Sequence, residues 1–143
     1  MASVDRKKRK SRFIGIPYHV ATSNEFANLK APAVKLLLDL LIQYNGSNNG
    51  MLSPCYALMR DRNWAKSSLY RAYASLVHSG FVVVTRQGIK VRGYPTLVAI
   101  TWNGIDAPIK CKFDINVRPS PVPLSYWKTD KSTWSIEPNI KPP

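Results

Sequence analysis

Between positions 66 and 79 the apolar residues recur as Leu69, Ala72, Tyr73, Leu76 and Val77. That spacing collects them on one face of a 3.6-residue helix. The opposite stripe reads Ser67, Arg71, Ala74 and His78, flanked by Lys66, Ser68, Tyr70 and Ser75. Gly80 supplies a left-handed stop. The pattern then changes period at once. "FVVVTR" (81–86) is a strand by its β-branched content, Gln87-Gly88 is a turn, and "TLVAITW" (96–102) returns. The two runs predict an antiparallel hairpin with a cationic tip: Arg86, Lys90 and Arg92.

Upstream lies the most apolar segment. A helix is predicted over 31–44, with Pro32 in its first turn. Val34, Leu37, Leu38 and Leu41 make one face, and Leu36, Leu40 and Ile42 widen it. Only Lys35, Asp39 and Gln43 remain as a narrow polar edge, so other elements must wrap this helix. Before it, 13–20 reads as an extended lead-in and Ser23 caps a short helical turn. After it, Gly46 in "NGSNNG" (45–50) is the expected left-handed cap, and "MLS" (51–53) suffices for one β-bridge. Ser53 and Pro54 read as the cap and first position of another helix. This would place Tyr56, Leu58 and Met59 inward, Arg60 and Arg62 outward, and its end near Asn63. Trp64 reads as a core plug in the following turn, Trp102 as a cover over the core. Ser67 or Lys66 is the expected cap of helix 66–79.

From about residue 103 the character changes. Seven of the eleven prolines lie in 108–143, which excludes helix and central strand from much of it. Trp127 and Trp134 imply that this stretch packs, either on its own domain or on a partner protein. The expected organisation is a basic disordered arm over 1–12, a folded domain over 13–102 and a Pro-rich extension over 103–143. The fold class is mainly α with a small antiparallel hairpin, α+β.

Charge changes the picture most. Lys and Arg number 21 against 8 acids, a formal balance of +13 in 143 residues. Such a surplus repels itself unless a polyanion relieves it, and nucleic acid is the first candidate. Arg6, Lys7, Lys8, Arg9 and Lys10 form an unbroken cationic run. No acid occurs between Asn63 and Tyr94. Two cysteines and two histidines without ligand spacing argue against structural zinc. No nucleotide-binding, nucleophile-elbow or metalloprotease motif is present, so no enzyme activity, cofactor or metal is expected. No stretch is apolar enough to span a bilayer and no leader pattern opens the chain. A cytoplasmic, nucleoid-associated protein is expected, with no membrane partner.

The order helix, β-bridge, helix, turn, helix, hairpin over about 31–102 resembles a winged helix-turn-helix domain. The carrying residues are "NNGMLS", "SPCYALMRDRNWAKSSLYRAYASLVHSGFVVVTR" and "LVAITW". The chain is also similar to small winged-helix replication or regulatory proteins of prophages, plasmids and other mobile elements. The resemblance implies double-stranded DNA as partner, with helix 66–79 in the major groove. Ser67, Ser68, Tyr70 and Arg71 would then contact bases. Lys66, Arg86, Lys90, Arg92 and the arm Arg6, Lys7, Lys8, Arg9 and Lys10 would contact phosphates. A homodimer would supply the specificity that one such module lacks. Two other readings fit the residues: a protein-interaction adaptor working through 103–143, and a binder of structured RNA.

Overall fold

The computed structural model describes residues 11–89, 91–138 and 141–143. Among them are five helices: α1 (Tyr18–Ala21), α2 (Asn24–Ala27), α3 (Ala31–Gln43), α4 (Tyr56–Met59) and α5 (Lys66–Ser79). The strands β1 (Val82–Arg86) and β2 (Leu97–Ile100) form one antiparallel hairpin. The fold is mixed α+β. Val82 lies opposite Ile100, Val83 opposite Ala99 and Val84 opposite Val98, with a bulge before Arg86. Leu52 adds a single bridge to Val98.

Side-chain alternation divides the hairpin between two cores. Val82, Val84, Val98 and Ile100 face the helices, where Leu36, Leu37, Leu40, Leu69, Tyr73 and Leu76 are buried. Val83 and Ala99 face the other way, onto Ile105, Val117, Tyr126 and Ile136. Both faces are therefore covered, which is why every residue of both strands is buried. Within 105–136 the chain packs on this second face. Trp127 stacks on Phe81 with ring centroids 6.0 Å apart, and Trp134 stacks on Tyr126 at 4.7 Å. Gly80 fits this arrangement twice over. Its φ of +81° closes α5, and a Cβ there would come within 2.5 Å of the Tyr126 backbone.

Several local expectations are corrected. α3 ends in extended backbone at Tyr44; Gly46 has φ +97° but does not cap it. Helix α4 starts at Tyr56 with Cys55 in the cap position, and the Ser53 hydroxyl accepts from Cys55 N at 3.3 Å just ahead of it. Gln43 grips the Ser53 backbone at both ends, donating to its carbonyl and accepting from its N–H, each at 2.8 Å. α4 continues only as a 3-10 turn, Arg60–Arg62. Leu58, expected inward, is 52% exposed. The lead-in is not wholly extended, since α1 occupies Tyr18–Ala21.

On the polar edge of α3, Asp39 is buried between the exposed Lys35 and the half-buried Gln43. Its carboxylate accepts from Trp64 Nε1 at 2.7 Å, Arg62 Nε at 3.1 Å and Lys35 Nζ at 3.2 Å. Burial alone would raise its pKa, but these three donors and the Lys35 charge outweigh burial and hold it below the ordinary 3.8. A carboxyl with a lowered folded pKa stabilises fully above its unfolded value and loses that contribution as pH falls through the folded value. Asp39→Asn should cost about 2 kcal/mol at neutral pH, the scale of hydrogen bonds to a buried charge. The gap from wild type should close in denaturant titrations taken progressively below about pH 4. A gap independent of pH would show that the carboxylate charge is not what matters.

Candidate nucleic-acid interface

The Asp39 hub sets the direction of α5. Asn63 adopts a left-handed φ of 64° and ends the turn of 3-10 helix. Trp64 is then buried against the α3 side, tied to Asp39, with Lys35 Nζ over its ring at 4.4 Å. The α4–α5 turn is thus fastened to α3 by one buried carboxylate and one indole. α5 begins immediately after it, with Leu69, Ala72, Tyr73, Leu76 and Val77 buried as the periodicity predicts.

Neither Lys66 nor Ser67 caps the helix. The cap position is Ala65, in extended backbone and without a side-chain hydrogen bond. The Ser67 and Ser68 hydroxyls, with no other partner among the described residues, are therefore available to a ligand. Lys66, Ser67 and Arg71 are exposed; Ser68 and Tyr70 are half-buried. Lys66 leans over Tyr56 at 5.6 Å, and Tyr70 packs on the main core. All five expected residues of α5 thus share one region, formed by the exposed face and its two flanks.

The hairpin end is different. Arg86 is not part of a cationic tip. It is only 7% exposed, its Nη2 and Nε donate to Pro95 O at 2.8 and 3.3 Å, and its guanidinium lies 4.1 Å from the Tyr94 ring. Beside the bulge its charge braces the hairpin internally, so it is not offered to a phosphate. Arg92 is exposed, next to Ile89 and Val91, which are 59% and 60% exposed. Lys90 and the arm Arg6, Lys7, Lys8, Arg9 and Lys10 lie outside the described residues. The chain enters the described region beside the far end of α3, where Arg12 Nη2 donates to Tyr44 O at 3.2 Å.

No family model, no curated protein and no solved structure matches this chain. Among the described residues no three His, Cys, Asp or Glu side chains come together as a metal site. No helix among them is long and apolar enough to cross a membrane.

Sequence reasoning missed a cleft beside α5. It has a volume of about 460 Å³ and is lined by Asn28, Lys30, Pro32 and Ala33 from the α2–α3 junction. Its other wall is Ser68, Arg71, Ala72 and Ser75 of α5. The stripe Ser68, Arg71, Ser75 was visible at helical spacing. Lys30 and Asn28 were not, because only the fold brings them opposite it.

Proposed function

We propose that this protein binds double-stranded DNA through a winged-helix domain, with α5 as the helix that enters the major groove. The observation that carries this is the start of α5. It presents Lys66, Ser67 and Arg71 to solvent, has serine hydroxyls free of capping duty, and follows a turn tied to α3 by the Trp64–Asp39 hydrogen bond. Small hydroxyl residues let the helix backbone approach base edges closely, and the flanking cations meet phosphates. The surplus of +13 supplies the attraction. The hairpin serves as the wing, with Arg92 near its tip. Regulation of transcription or replication-origin binding in a mobile element fits a small basic binder of this kind.

The adaptor reading needs Trp127 and Trp134 free for a partner. Trp127 is instead buried on Phe81, and Trp134 lies on Tyr126, which favours DNA over a docking tail.

Selection from a random duplex pool at ~150 mM salt, near physiological ionic strength, tests the reading. Wild type should enrich one motif. Ser67→Ala should blur or change that motif while salt-sensitive binding persists. Enrichment of nothing by wild type would remove sequence-specific DNA recognition from consideration.

A further inference from the structure

The cleft between the α2–α3 junction and α5 sets Lys30, Asn28 and Ser75, to which the DNA reading gives no role, beside Ser68 and Arg71. Two cations, Lys30 and Arg71, stand at its opposite walls, with Asn28, Ser68 and Ser75 as hydrogen-bonding groups between them. Among the described residues none of these five side chains has a hydrogen-bond or ion-pair partner. The nearby cations behave otherwise: Lys35 and Arg62 are committed to Asp39. Pro32 and the buried Ala33 and Ala72 complete the lining, small residues that leave room for a ligand while adding no charge.

We infer that this cleft holds the sugar-phosphate backbone of one DNA strand, with Lys30 and Arg71 as a phosphate clamp. The inference rests on the DNA reading above and refines it. A helix with its side chains is about 10–12 Å across, and the B-form major groove is about 12 Å wide. A helix lying in that groove fills it, so whatever occupies the helix flank faces a phosphate strand. Ser68, Arg71 and Ser75 form one such flank, spanning about 10 Å at 1.5 Å per residue. Lys30 faces that flank across the cleft. Arg71 therefore moves from base edge to backbone, and base contact falls to Ser67 at the front of the helix. Asn28 and the two serines add neutral donors of the kind that fix register on phosphate oxygens.

The test is the salt dependence of duplex affinity, measured by fluorescence anisotropy between about 50 and 200 mM salt, with the selected sequence and a scrambled duplex. Each phosphate contact adds close to one unit to the slope of log K against log salt. Lys30→Ala and Arg71→Ala should each lower that slope by about one, with the preference for the selected sequence kept. Lys30→Arg should restore it, and Lys112→Ala, an exposed residue that does not line the cleft, should leave it unchanged. An unaltered slope in Lys30→Ala overturns the clamp. So does an Arg71→Ala protein that keeps the wild-type slope but loses preference at one base pair, which would return Arg71 to the base edge. Failure of wild type to bind either duplex would instead sink the DNA reading itself, and the clamp with it.

Discussion

Gly80→Ala is expected to destabilise the protein by about 3–5 kcal/mol. Two costs combine. Gly80 has φ +81°, and a side chain in the left-handed region costs about 1–2 kcal/mol. The new Cβ would also stand 2.5 Å from the Tyr126 carbonyl carbon, 2.6 Å from its oxygen and 2.8 Å from Trp127 N. Those are backbone atoms, so relief requires moving the segment that seats Tyr126 and Trp127, both buried. Losing even part of that burial adds about 2–3 kcal/mol. A melting temperature lower by about 10–17 °C follows for a chain of this length. Gly46→Ala is the comparison: φ is +97°, but nothing lies within 4 Å of the added carbon. It should cost only the backbone term, about 1–2 kcal/mol. Equal losses in the two variants would show that residues 126–127 are not seated on the end of α5 in solution.

Ser67→Glu should separate folding from binding, moving them in opposite directions. The residue lies in the first turn of α5, is exposed, and follows a cap position that offers no side-chain acceptor. A carboxylate there meets the positive end of the helix dipole and should stabilise the fold by about 0.3–1 kcal/mol. The same carboxylate would point at the polyanion. Like charges brought together at an interface cost several kcal/mol, so duplex affinity should fall by at least about 100-fold at physiological salt. Thermal melts and anisotropy on one preparation check both halves. Retained affinity with a raised melting temperature would mean that the front of α5 does not face DNA.

Local features of this fold are legible in the sequence, and its long-range pairings are not. The core face of α5 and the stop at Gly80 were readable, because helical period and left-handed glycine are local properties. The hairpin was readable from its β-branched runs. Asp39 was visible only as a polar notch in an apolar helix. Its partners Arg62 and Trp64 lie 23 and 25 positions away, and no periodicity encodes such a pairing. Asn49 is a similar case. It is fully buried, accepts from Ile100 N at 2.7 Å and donates to Gly104 O at 2.8 Å, inside a stretch that reads only as a polar turn. Arg86 was misplaced because a strand-end arginine near a turn resembles a tip residue, and only the bulge and Pro95 show where its charge goes. In the candidate site, α5 supplied the local half. The half contributed by Lys30 and Asn28 required the tertiary fold.

The second face of the hairpin has a consequence for how the protein is made. Val83 and Ala99 are covered by residues up to Ile136, which leave the ribosome well after the strands. The interval from residue 99 to 136 is 37 positions, and synthesis at ~5–20 residues per second makes that roughly 2–7 seconds. Until those residues have emerged and packed, the apolar strand pair stays open to other nascent chains. Yield in cells should therefore depend on translation speed through this stretch and on the supply of chaperones that shield such surfaces.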